Sequence, residues 1–316
     1  MSTSPFVPLD TFMGLPFRSD AKGSKAAILG IPFDCGTHPT RIGSRLGPAS
    51  IREQSRLLRP HDPLSGLDPL ESLKVVDCGD AAVKPGEIEP SYAAIAASVG
   101  SILKAGATPI TMGGDGAIVL PEMRALHGTY PDLVAVHLDA HTDAYPIPGY
   151  NTATGFARAA EEGVVDAGRS FHIGVRGSTM VPGIYEHALK LGYSLVTMSE
   201  LARRGIAAVM GAVRRKVGDR PVYLCFDMDF FDPSVAPGVC TPVWGGVSAA
   251  EGLLALELCC ALDIVALDVN TVSPPHDTGG MSAFLAATVM LSALTHLARK
   301  GAPTRRQMRA PRAKRR

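Results

Sequence analysis

The chain has 316 residues, of which 46% are apolar and 19% charged, and its formal net charge is +1. So low a charge density excludes an expanded disordered polymer, and glycines and prolines scattered without a period exclude a collagen-like or coiled-coil fibre. No uninterrupted run of 18 apolar residues offers a membrane span, and the opening MSTSPFVPLDTF lacks the basic start and apolar stretch of a secretory signal.

Taken in chain order, short apolar runs end in polar or glycine-containing loops, the pattern of buried parallel strands whose C-terminal ends carry function. The runs are Ala26–Pro32, Lys74–Asp77, Thr108–Met112, Leu133–Leu138, Phe171–Val175, Leu195–Met198, Pro221–Phe226 and Asp263–Leu267. Helical stretches fall between and after them at Ser91–Lys104, Ala117–Leu126, Ser199–Val217, Ser248–Leu262 and Ser282–Leu297. Ser248 with Glu251 fits a capping box, and Ser199 followed by Glu200 places a cap and a carboxylate at a positive helix end. This alternation predicts one α/β domain with a mainly parallel sheet over residues 1–299, with no internal repeat and no linker.

Charge is unevenly placed. From Lys300 onward there are eight basic residues and no acid, leaving residues 1–299 with a net charge of −7. The stretch 300–316 reads as a solvated, disordered tail, and an acidic body is not expected to bind nucleic acid. Cys35, Cys78, Cys225, Cys240, Cys259 and Cys260 show no C-x-x-C spacing. Buried thiols in a reducing cytoplasmic compartment are expected, Cys259 and Cys260 above all.

Ligands of parallel sheets bind at the carboxyl ends of the strands, and two such ends here are loaded with acids. Asp139, His141 and Asp143 alternate after Leu133–Leu138, so in extended backbone they share a side. Asp227 and Asp229 alternate after Tyr223–Phe226, with Asp232 three residues on. If these groups converge, each like-charge pair at about 4 Å costs roughly 4 kcal/mol at an effective dielectric near 20. A divalent cation relieves that repulsion, and oxygen-rich ligation with an imidazole suits Mn²⁺ or Ni²⁺. A third element, Met112-Gly113-Gly114-Asp115-Gly116, reads by itself as a tight strand-to-helix turn needing positive φ.

Together these motifs resemble the ureohydrolase (arginase/agmatinase) superfamily, on its agmatinase-like side, over about residues 5–298. The resemblance is carried by TFMGLP (11–16), GIPFD (30–34), GSRLGPASIR (43–52), the Gly-Gly-Asp turn, DAHTD, FDMDFFDP (226–233) and SPPHD (273–277). It implies a three-layer α/β/α sandwich holding a binuclear Mn²⁺ or Ni²⁺ centre that acidifies water for attack on a guanidinium carbon. Asp139, His141, Asp143, Asp227 and Asp229 match five of the six ligands that the resemblance implies.

Three positions depart from that pattern. The Gly-Gly-Asp turn of the superfamily is followed by a sixth, histidine ligand, whereas here Gly116 follows. Thr152 stands where a histidine serves catalysis, and Thr271 where a glutamate pairs with the guanidinium. Glycine has no ligand atom, threonine is no proton shuttle at neutral pH, and it cannot neutralise a guanidinium. The loop Pro237–Trp244 is also more apolar than its counterpart, and Trp244 either lines the pocket, meets a neighbouring subunit or packs locally. These losses resemble the ligand-poor subunit of heteromeric bacterial hydrolases of dimethylbiguanide (metformin), which pair it with a nickel-dependent catalytic paralogue. The expectation is a supporting subunit in a hexamer-like hetero-oligomer acting on guanidino or biguanide compounds. The alternative is a self-sufficient agmatinase-like hydrolase with an altered metal centre.

Overall fold

The computed structural model describes residues 10–35 and 40–301. The basic stretch beyond 301 and the chain before residue 10 lie outside the described residues, so the expected disordered tail does too. In chain order the elements are β1 (Ala26–Ile31), α1 (Gly47–Ser55), α2 (Pro69–Ser72), β2 (Val76–Asp80), α3 (Ile88–Lys104), β3 (Thr108–Gly113), α4 (Val119–His127) and β4 (Val134–Leu138). They continue with α5 (Gly155–Glu161), β5 (Phe171–Val175), α6 (Ile184–Lys190), β6 (Ser194–Thr197), α7 (Met198–Arg204), α8 (Ile206–Val217), β7 (Pro221–Asp227), α9 (Ala249–Cys259), β8 (Asp263–Asn270) and α10 (Met281–Gly301). The strands form one eight-stranded sheet in the order β2-β1-β3-β8-β7-β4-β5-β6, and every pairing is parallel.

Strand alternation sends side chains to two faces. Val134, Val136, Leu224 and Leu267 join one core with Ile51, Val213, Leu256 and Met290 from the helices. Ala135, Tyr223 and Cys225 join the other with Ile95, Met123 and Phe156. Each fully buried Val, Ile or Leu stabilises the fold by about 1.5–3 kcal/mol, so a sheet covered on both sides needs the near-continuous apolar runs seen in the sequence. The result is the three-layer α/β/α sandwich that the sequence predicts.

Several boundaries differ, each for a local reason. The second strand starts at Val76 because Lys74 turns the chain at φ 50. The expected helix Ser199–Val217 is two helices, broken at Gly205 (φ 78, ψ 147). Its first turn is capped by Thr197, whose Oγ1 accepts from Glu200 N at 3.2 Å, and not by Ser199. The Ser248–Glu251 capping box is present, with Ser248 N donating to Glu251 Oε2 at 2.9 Å and Glu251 N to Ser248 Oγ at 3.3 Å. The eighth strand runs on to Asn270, because Asp268 and Asn270 are buried within it and pair with β7 and β3, Asp268 accepting from Thr111 Oγ1 and Asn270 Nδ2. Helices α1, α2, α5 and α6 lie outside the stretches read as helical in the sequence.

Helix α10 is long and apolar enough to cross a membrane by length and composition, and 56% of that window is buried in the fold. Ala286, Val289, Met290 and Leu294 lie in the core beside α1 and α9, so packing accounts for its apolar face. It also runs through Lys300, so that residue belongs to the last turn of a helix and not to the tail. Asp277 of the SPPHD stretch caps its start, accepting from Ser282 N and Ala283 N at 3.0 and 3.2 Å.

Glycine at the Gly-Gly-Asp turn is required by space. None of Gly113, Gly114 and Gly116 has positive φ, contrary to the expectation from the turn alone. A Cβ on Gly114 would sit 1.6 Å from Phe33 O. The Gly30–Asp34 segment thus lies directly against the turn, and Cys35 N donates to Asp115 Oδ2 at 2.7 Å.

Candidate metal centre

The ends of β4 and β7 lie side by side, Leu138 opposite Phe226, which brings the two acid pairs together. Asp139, Asp143, Asp227 and Asp229 are all buried, each at most 4% exposed. Asp139 Oδ1 accepts from His141 N at 2.6 Å and lies 3.1 Å from His141 Nδ1, which is 3.4 Å from Asp229 Oδ2. Asn270 Nδ2 donates to Asp227 Oδ1 at 2.8 Å, and Thr241 Oγ1 donates to Asp229 Oδ2 at 3.1 Å. Asp143 holds φ 47, a conformation that costs a non-glycine residue and concentrates at functional sites. The five residues expected to converge do so.

Three groups of potential ligand atoms emerge among the described residues, each mutually within 4.8 Å: His137, Asp139, Asp143 and Asp227; Asp139, His141 and Asp229; and His137, Cys225 and Asp227. The sequence reading missed His137. It continues the same alternation as Asp139, His141 and Asp143, a signal hidden because it sits inside an apolar run. Asp115 of the Gly-Gly-Asp turn caps the residues that follow, accepting from Ala117 N at 3.1 Å. One other expectation needs correction: Asp232 belongs to none of these groups and accepts instead from Gly245 N and Gly246 N, just past the Pro237–Trp244 loop, at 2.8 and 3.1 Å.

Crowded buried carboxylates cannot all ionise cheaply. Burial, then the charge of Asp139, holds Asp143, Asp227 and Asp229 above the usual carboxylate range. Burial also opposes ionisation of Asp139, but the adjoining His137 outweighs it and keeps that carboxyl well below its ordinary value. The two acid-rich groups suit a hard divalent cation, offering carboxylate oxygens and two imidazoles, while burial pushes the Cys225 thiol of the third group well above its ordinary value, away from the thiolate form. Asp139 Oδ2 is buried without a hydrogen-bond partner, as expected of a carboxylate oxygen kept for a cation.

Above the cluster opens a pocket of about 150 Å³, lined by the cluster acids and His141 together with Tyr145, Thr152, Ala153, Ser178, Met180, Thr241 and Thr271. Thr271 sits at φ 69, and its hydroxyl is committed, donating to Asn270 O at 2.7 Å and accepting from Met228 N at 3.1 Å. Thr152 Oγ1 lies 3.6 Å from Cys35 Sγ. Trp244 is 74% exposed and does not line this pocket, so it is not a locally packed aromatic. All six cysteines are unbridged, and Cys259 and Cys260 are buried.

Beneath the cluster lies a second polar layer that the sequence did not reveal. Asp268 accepts from Thr111 Oγ1 at 3.0 Å and from Asn270 Nδ2 at 2.6 Å. Burial pushes its carboxyl up to about 6. A carboxyl with a higher pKa folded than unfolded binds its proton more tightly in the folded state. Its contribution therefore favours folding at low pH and is lost as pH rises from about 4 to about 6. Asp268→Asn is expected to flatten that decline, seen as a smaller difference in Tm between pH 4.5 and pH 7. An unchanged difference would show that Asp268 is not the titrating group.

Residues 24–296 match the sequence profile of the Arginase family. The chain belongs to the arginase family. It is 37% identical over 301 residues to guanidinopropionase of Pseudomonas aeruginosa, covering 94% of each chain. It is 35% identical over 287 residues to the mitochondrial agmatinase of Gallus gallus, covering 90% of this chain and 84% of that one. Among solved structures, proclavaminate amidinohydrolase of Streptomyces clavuligerus superposes with a TM-score of 0.88 at 32% identity, covering 94% of this chain and 99% of the other. The arginase family uses a binuclear divalent centre, typically manganese, and the acid cluster lies where this chain's residues suit such ions.

Proposed function

We propose that this arginase-family chain is a guanidino-hydrolase subunit that binds divalent metal, manganese or nickel, but catalyses poorly alone. In this reading it supports a complete paralogue in a hetero-oligomer acting on guanidine or biguanide compounds of the dimethylbiguanide type, in the cytoplasm. One observation carries it: every carboxylate lining the pocket belongs to the cation cluster, and the outer wall offers Thr152 and Thr271 where an acid or base would serve. When bound, divalent cations supply a water acidic enough to act as a nucleophile near neutral pH. Asp139, His141, Asp143, Asp227 and Asp229 would hold them. Among the described residues lining the pocket, no carboxylate outside the cluster is placed to anchor a guanidinium and no histidine outside it to carry a proton to a leaving amine; the Thr271 hydroxyl is already engaged.

A second reading, a self-sufficient hydrolase on an altered guanidino substrate, is favoured by the retained acid cluster and by full-length similarity to guanidinopropionase and agmatinase. Co-expression with a paralogue that retains the acid and base positions separates the two. The supporting role predicts a mixed oligomer by native mass spectrometry, with exposed Trp244 shielded from a fluorescence quencher on assembly. Assembly of this chain only with itself contradicts it.

A further inference from the structure

His137 is wholly buried at the end of β4, under the cation cluster. Its Nε2 lies 2.8 Å from Asp139 Oδ2 and 3.6 Å from Asp227 Oδ1. Despite those distances, neither His137 Nε2 nor Asp139 Oδ2 has a hydrogen-bond partner: the two atoms are close but out of line. On its other side, His137 Nδ1 is 2.9 Å from Nδ1 of His172, a ring wholly buried beside it, so that nitrogen is taken up by its outer neighbour. Nε2 is the nitrogen left facing carboxylate oxygens, and it falls within 4.8 Å of ligand atoms of Asp139, Asp143 and Asp227. That is the usual arrangement of a ligating histidine, whose second nitrogen bonds an outer partner.

The neighbouring turn cannot fill the same role. Gly116 has no side chain, and a Cβ there would fall 2.8 Å from Asp143 Oδ2 and 3.6 Å from Asp227 Oδ2. The two acids that Gly116 faces are the ones grouped with His137. We propose that His137 is a metal ligand, supplying from within the sheet the imidazole that the glycine turn lacks. The chain then holds two divalent ions, one by His137, Asp139, Asp143 and Asp227, the other by Asp139, His141 and Asp229. Phe156, stacked on the His137 ring at 4.3 Å between centroids, and His172 fix its orientation. This inference rests on the reading that the cluster binds divalent cations.

The test is equilibrium binding of Mn²⁺ to the full chain, with bound metal counted by elemental analysis. The unaltered chain is expected to take two ions. His137→Gln should keep one and bind the other at least about 100-fold more weakly, whereas His172→Phe should weaken it by the roughly 10–100-fold typical of an outer partner. Pulsed EPR of the unaltered, manganese-loaded chain guards against a misfolded variant and should detect an imidazole nitrogen on each ion. Two ions held equally well in His137→Gln would overturn the assignment. So would a single ion bearing only the His141 nitrogen, with the cation-cluster reading left standing. No bound ion at all would overturn both.

Discussion

Replacing Thr152 with histidine and Thr271 with glutamate together should raise the activity of the isolated, metal-loaded chain on agmatine or guanidinopropionate by at least about 100-fold. A positioned acid or base contributes about 10²–10⁴-fold, and a carboxylate adds a charge-assisted anchor for the guanidinium. Both positions line the pocket beside the acid cluster, so the new groups would enter the space a substrate must occupy. Thr271 already holds φ 69, and an unbranched glutamate carries that conformation with less crowding at Cβ than threonine. The gain should appear mainly in kcat for Thr152→His and in KM as well for Thr271→Glu. Unchanged activity in a double variant that still binds metal would mean that these positions are not what limits the chain.

Divalent metal should also dominate stability. With free Mn²⁺ or Ni²⁺ at about 1,000 times Kd, binding to the folded state alone adds about 4 kcal/mol, which for a chain of this length is a rise in Tm of roughly 6 °C. Asp139→Ala should reduce that rise to near zero, because Asp139 belongs to both acid-rich ligand groups. The rise should shrink as pH falls. Asp143 and Asp227 hold their protons above the usual carboxylate range, and ligands must shed protons to bind. A Tm indifferent to metal, or an equal rise in Asp139→Ala, would show that the cluster is not a cation site.

Much of this site could be read from the sequence because acids crowded just past the ends of two buried strands are a strong signal. Leu138 and Phe226 are paired neighbours, so the acids that follow them meet, although the chain leaves extended backbone there: Asp143 holds φ 47 and Asp229 lies in a 3-10 turn. What stayed hidden depended on tertiary partners. His137 looks like a core residue until His172 and Asp139 are placed around it. Asp268 and Asn270 read as the loop after a strand, but the hydrogen bonds from Thr111 and within the pair keep them in the sheet. Asp232 stays out of the site for the converse reason: it is an acid near a strand end whose oxygens accept from backbone N–H groups and the Ser234 hydroxyl. The break at Gly205 was likewise invisible to periodicity, since apolar spacing continues across it from Leu201 to Val209.

The most direct measurement is the turnover of guanidino and biguanide substrates by the metal-loaded chain alone and after co-assembly with a complete paralogue, compared at equal active-site metal. The supporting role predicts little or no turnover alone and a rate in the ordinary enzymatic range of about 1–10³ s⁻¹ for the complex, abolished when a metal ligand is removed from the paralogue. A rate in that range from this chain alone would contradict it.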